Sequence, residues 1–199
     1  MKTPQPITLA GRYVMLRPLL ETDIPELCQI GLEESLWRLS SSKVSTPEDM
    51  AAYVRAALSA QQNNSAVPFV LVEPASHRLI GSTRYGNIDV ANGSLEIGWT
   101  WINPAWQRTG VNTEAKYLLL RHAFEELDCI RVSLKTDVLN QRSRQAMLRI
   151  GAKEEGILRN HMITSEGRIR DTVMLSIIAQ EWPQVKQRLE ILLQRAVIA

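Results

Sequence analysis

Ser94-Leu95-Glu96-Ile97-Gly98-Trp99-Thr100-Trp101-Ile102-Asn103-Pro104-Ala105-Trp106-Gln107-Arg108-Thr109-Gly110-Val111-Asn112-Thr113 is the stretch on which the reading of this chain turns. Ser94 to Ile102 has the two-residue period of a strand, with Leu95, Ile97, Trp99 and Trp101 on one apolar face and Glu96, Gly98 and Thr100 on the other. Asn103-Pro104-Ala105-Trp106 breaks the strand, and Gln107 to Thr113 turns directly into a helix expected from Val111 to about Leu127. Such a turn presents unpaired backbone N–H groups at the positive end of a helix, which is a ready anion site. Gly110 lets the backbone approach an anion closely, and Arg108 adds positive charge. The glycines and lysine of a Walker loop or a dinucleotide fingerprint are absent. Gly98 inside the strand marks a bulge or a close approach by another group. Glu96, a carboxylate in mid-strand, is either salt-bridged or solvent-facing for structural reasons, or chemically employed.

Outward from this stretch, Tyr13 to Leu19 reads as a first strand, and Thr22 or Asp23 caps a helix with Pro25 and Glu26 in its first turn. Thr46-Pro47-Glu48-Asp49 is a stronger helix start: a capping hydroxyl, proline at the first position, then acids facing the helix dipole. Val67 to Glu73 and Leu79 to Asn87 precede the central strand, and short turns predict an antiparallel meander. Further on come a strand from Ile130 to Asp137, a helix from Asn140 to Ile150 ending at Gly151, strands at Lys153–His161 and Ile169–Ile178, and an amphipathic helix from Gln180 to Arg195. This order predicts an α/β or α+β fold, a mixed sheet with helices packed on it.

Composition narrows the function classes. The 199 residues, 45% hydrophobic and 22% charged, suit one globular domain over residues 1–199. The longest apolar run, Ala66 to Val72, falls far short of the roughly 20 residues a membrane span requires. No secretory signal is read in Met1 to Pro6, and two dispersed cysteines, Cys28 and Cys129, read as the reduced thiols of a cytoplasmic protein. A net charge of +2 without a basic cluster argues against nucleic acid and membrane surfaces as partners. The three histidines have no metal-ligand spacing, so no metal is expected, and His122 on an apolar helix arc reads as a core residue.

Gln107-Arg108-Thr109-Gly110-Val111-Asn112 resembles the Gln/Arg-x-x-Gly-x-Gly/Ala pyrophosphate loop of the GNAT acetyltransferases. Asn112 stands where that family usually has glycine or alanine. Glu96-Ile97-Gly98-Trp99, Asn140-x-x-Ser143 before Ile150-Gly151-Ala152, the opening Leu9-x-Gly11-Arg12-x-Val14-x-Leu16-Arg17-Pro18-Leu19 and the closing Gly167-Arg168-x-Arg170-Asp171 are similar to its RimJ/RimL-like branch. Together they span about Leu9 to Trp182.

The resemblance implies a mostly antiparallel sheet of about seven strands, splayed between its fourth and fifth, with helices on both faces and acetyl-CoA as co-substrate in the V. The backbone of Gln107, Arg108, Thr109, Gly110, Val111, Asn112 and Thr113 would grip the pyrophosphate. Trp101, Ile102 and Asn140 would meet the pantetheine arm, and a backbone N–H there would polarise the thioester carbonyl.

Glu96 is the candidate base for a primary amine, directly or through water, and Ser143 the candidate partner of the departing sulfur, because Met147 replaces the tyrosine many relatives use there. The blander reading of Ser143 is a hydroxyl at a helix start. Trp37 and His161 are candidates to border the acceptor pocket, against the blander readings of a connector and a solvated strand end. Direct transfer through a ternary complex follows, to a protein N-terminus or a small-molecule amine, and homodimerisation is expected from the family. The rival is a non-catalytic acyl-CoA-binding module, which would keep the loop without needing Glu96 or Ser143.

Overall fold

The computed structural model describes residues 1–195, so the expected domain end at 199 lies outside the described residues. In chain order the elements are β1 (Leu9–Ala10), β2 (Met15–Pro18), α1 (Ile24–Gly31), α2 (Pro47–Gln62), β3 (Val67–Val72), β4 (Leu79–Asp89), β5 (Ser94–Ile102), α3 (Val111–Arg121), β6 (Arg131–Asp137), α4 (Gln141–Arg149), β7 (Lys153–Ile163), β8 (Ile169–Ile178) and α5 (Trp182–Arg195). A cap explains the start of α2. Thr46 Oγ1 accepts from Asp49 N at 3.2 Å while Asp49 Oδ2 accepts from Thr46 N at 3.1 Å, a reciprocal box that sets α2 going. From there Met50, Tyr53, Val54 and Ala57 fall on one buried stripe.

The strands form one sheet in the order β1-β2-β3-β4-β5-β6-β8-β7. Eight strands replace the expected seven because the short β1 pairs Leu9 with Leu16 ahead of β2. Every neighbouring pair is antiparallel except β5–β6. That parallel pairing joins only Ser94 to Arg131, Leu95 to Val132 and Glu96 to Ser133, after which the strands part. The splay expected between the fourth and fifth strands is this parting, between β5 and β6. One core packs α3, α4 and α5 on one face of the sheet through Ala115, Leu119, Met147, Val185 and Leu189. A second packs α1 and α2 on the other through Leu27, Met50, Val54 and Trp101.

Two details depart from expectation. Trp99 sits at φ +51°, and the β4–β5 register jumps from Arg84 opposite Gly98 to Ser82 opposite Trp101. Thr83 therefore faces both Trp99 and Thr100, a bulge that inverts the side-chain alternation. Leu95 and Ile97 belong to the first core and Trp101 to the second, so the single apolar face expected of Leu95, Ile97, Trp99 and Trp101 does not exist. The helix expected over Val111–Leu127 is α-helical only to Arg121. Its last stretch, His122–Glu126, winds as a wider π turn closed by Leu127 N donating to His122 O at 3.0 Å.

Candidate active site

The bulge sits where β5 leaves β6, and Glu96 is the last residue before the gap. Its side chain is buried, with 5% of its surface exposed, and Oε2 receives Asn87 Nδ2 at 2.8 Å and Lys135 Nζ at 3.0 Å. Oε1 takes no hydrogen bond from any described residue. A Cβ built on Gly98 would lie 2.8 Å from it, so Gly98 makes room for the carboxylate of Glu96 itself. Glu96 is thus both salt-bridged and left with one oxygen to accept a proton.

Beyond Glu96 the β6-facing edge of β5 has no strand beside it, and such an edge is a template for an extended ligand. At its far end Gln107 Nε2 donates to Ile102 O at 2.8 Å, while Gln107 Oε1 accepts from Arg142 Nη1 at 2.8 Å across the gap. The turn that follows is held by its own hydroxyl. Thr109 Oγ1 donates to Trp106 O at 2.7 Å and accepts from Val111 N at 3.3 Å, and Arg108 takes φ +62°. Gln107 N–H is engaged by Pro104 O. The backbone N–H groups of Arg108, Thr109, Gly110, Asn112 and Thr113 have no acceptor among the described residues. Gly110 is required by packing, because a Cβ there would lie 2.9 Å from the Tyr13 ring.

Across the gap, Asn140 caps α4 by accepting Ser143 N on Oδ1 at 3.0 Å, which leaves its amide NH2 free to meet a ligand. Ser143 is half-buried, and its hydroxyl makes no hydrogen bond to any described residue. Arg149 Nη2 donates to Thr113 Oγ1 at 2.8 Å, a second tie between the walls of the V. The motif Gly167-Arg168-x-Arg170-Asp171 anchors this wall: Arg168 pairs with the fully buried Asp137, and Arg170 Nε lies 3.9 Å from it. Burial draws the Arg170 pKa below its ordinary value.

The structure separates the two expected acceptor residues from this cluster. Trp37 is 6% exposed and packs on Tyr53 and Trp101 with its indole N–H on Gly31 O at 2.7 Å, so it supports the wall and does not form a rim. His161 is exposed on β7, which β6 and β8 separate from β5. His122 is a core residue beside Tyr85, its pKa lowered by burial.

Sequence reasoning missed three buried charges. Glu114 accepts from the backbone N–H groups of Arg12, Tyr13 and Val14 at 2.9, 2.5 and 2.9 Å and so fixes the 11–14 turn on α3. Lys116 donates to Thr100 Oγ1 at 2.7 Å, tying α3 to the bulge, and burial pulls its pKa down to about 7. Arg84 lies over the rings of Tyr53 and Trp99, at the wall of a cavity of about 290 Å³. Both sequence neighbours are buried at Arg84 and Glu114 and only Ala115 at Lys116, a context that one sequence shows only weakly.

Among the described residues no helix is long and apolar enough to cross a membrane, and no group of His, Cys, Asp and Glu is placed to hold a metal. The model of the Acetyltransferase (GNAT) domain matches residues 14–153. A Bacillus subtilis protein, YdaF, named as a candidate ribosomal N-acetyltransferase, is 36% identical over 104 residues, covering 52% of this chain and 56% of its own length. The chain thus spans little more than half of that relative. A GCN5-related N-acetyltransferase from Brucella melitensis is 30% identical with a TM-score of 0.88, covering 96% of this chain and 87% of its own. Mycobacterium smegmatis RimJ, solved with CoA-disulfide, shares the fold at a TM-score of 0.81 and 23% identity, covering 96% of this chain and 97% of its own. With the splayed sheet, the loop of free N–H groups and a family match over most of its length, the chain belongs to the GNAT acetyltransferase family.

Proposed function

We propose that this enzyme transfers acetyl from acetyl-CoA directly to a primary amine in a ternary complex. The observation that carries the reading is the continuity of the unpaired β5 edge with the free N–H groups of Arg108, Thr109, Gly110, Asn112 and Thr113, beside a carboxylate with one open oxygen. The fit to the co-substrate is local. The free N–H groups at the start of α3 suit a pyrophosphate, and the open edge at Trp101 and Ile102, with the Asn140 amide, suits a pantetheine arm. Acetyl-CoA supplies the acetyl group as a thioester. Glu96 Oε1 accepts the proton the amine must lose, directly or through water, and Ser143 Oγ stands on the opposite wall to donate toward the sulfur. Holding both partners in one cleft supplies a large share of the rate.

A covalent route through cysteine lacks support. Burial pushes the Cys129 thiol up to about 11, and that of Cys28 in the same direction. A peptide N-terminus is the acceptor we favour, after the activity for which YdaF is named. A homodimer and a cytoplasmic setting complete the reading. Exposed Ile157, Leu158 and Ile163 on the edge strand β7 offer the apolar surface a second copy would cover.

Calorimetric titration with acetyl-CoA, with dephospho-CoA as comparison, tests the co-substrate. Binding near micromolar, about −8 kcal/mol, is expected. Thiol release on adding peptides or small amines then tests transfer. Absence of binding overturns the reading.

A further inference from the structure

The cavity beside Trp99 contains a guanidinium that the mechanism above does not use. Arg84 is only 7% exposed, its Nε is buried without a hydrogen-bond partner, and no described carboxylate forms an ion pair with it. The rings of Tyr53 and Trp99, 5.2 and 4.9 Å from its Cζ, hold it by its faces and satisfy none of its in-plane N–H donors. The nearby acids form no ion pair with it: Glu96 is held at Oε2 by Lys135 and Asn87 while its Oε1 stays open, and Asp49 is held by Ser45 and Thr46 in the cap of α2. A buried guanidinium without an acidic partner is costly unless something else completes it. The planar, forked partner that fits is a carboxylate.

The position decides what carries that carboxylate. Arg84 lies directly opposite Gly98 in the β4–β5 register, and Gly98 is where Oε1 of Glu96 points. Side chains of such opposed residues start about 5 Å apart. An acceptor whose amine meets Glu96 therefore has the cavity and Arg84 within a few bonds. We infer that Arg84 is the specificity residue of the acceptor pocket, binding a carboxylate carried close to the acetylated amine. This rests on the amine-transfer reading above. A peptide with an acidic side chain at its first or second residue and a free amino acid share this chemistry.

The test measures thiol release from acetyl-CoA with C-terminally amidated peptides differing only in Glu against Gln at the first or second residue, and with free glutamate against its diamide. In the wild type kcat/KM for the acidic member of at least one pair should exceed the neutral one by roughly 30-fold, and in Arg84→Met the ratio should fall toward one. The pair that discriminates identifies the source of the carboxylate. Arg84→Lys, which keeps the charge without the fork, should fall between, and acetyl-CoA titration with thermal melts checks that both variants fold. Equal rates within every pair overturn the inference. Transfer to no probe sinks the amine reading instead. Titration with glutarate, followed by calorimetry, then decides the carboxylate site alone: binding lost in Arg84→Met sustains it, and no binding to the wild type overturns it.

Discussion

Two buried glutamates on neighbouring elements show how one residue type serves two ends. At Glu114 the 11–14 turn wraps the carboxylate, three backbone N–H groups saturate it, and a Cβ on Gly11 would lie 2.4 Å from its oxygen. At Glu96 two donors share one oxygen and the other is left open beside a glycine. The two are almost equally buried, at 7% and 5% exposed, so burial does not separate them. Residual acceptor capacity does. A saturated carboxylate holds a fold together, and an unsaturated one at a cleft is available for proton transfer.

The sharpest way to break this comparison is to neutralise each in turn. Glu96→Gln should lower kcat by about 10²- to 10³-fold, with a smaller loss of stability from the ion pair Lys135 gives up, read by thiol release and calorimetry. Glu114→Gln should do the reverse and cost about 3 kcal/mol in urea unfolding, because an amide presents one acceptor and two donors to three N–H groups. If Glu114→Gln leaves stability intact, saturation is the wrong criterion. The glycines sharpen it further. Gly98→Ala crowds Oε1 and should cost about tenfold in kcat, while Gly11→Ala crowds the other carboxylate and should lower stability by about 2 kcal/mol.

Lys116 extends the comparison to a cation. Its pKa lies near 7 in the folded chain against an ordinary 10.5, so between those values the unfolded chain binds the extra proton and this group makes stability rise with pH. The slope is about 1.4 kcal/mol per pH unit at most. Denaturation at pH 7, 8 and 9 should show this component in the wild type and its loss in Lys116→Met. Ser143→Ala should have the smallest effect, about threefold to tenfold in kcat, since its hydroxyl has no protein partner to orient it.

Most of the architecture was legible because it is written in local chemistry. The Thr46–Asp49 box, the apolar run of β3 and the Gln107–Thr113 turn each need only neighbours in sequence. Gly98 marked a bulge or a close approach, but that Trp99 would carry it was not legible, since tryptophan has no preference for positive φ. Trp37 failed in the same way: an aromatic in a polar segment suggests a rim, and only the packed structure shows Tyr53 and Trp101 around it. Arg84 and Lys116 were missed because what distinguishes them is a partner that is lacking or single, a property of three dimensions.

The short seam between β5 and β6 has a consequence for how the chain reaches this state. The meander from β2 to β5 closes through contacts between consecutive strands, and β7 and β8 form a hairpin of their own. Among the described residues only Ser94, Leu95 and Glu96 of β5 join the two halves of the sheet by strand pairing, across a long intervening stretch of chain. Contacts of that kind form late in folding and open first, so the amides on the two sides of the seam should exchange with solvent sooner than those within either half. The cleft proposed for acetyl transfer should therefore also be the last joint of the molecule to be made.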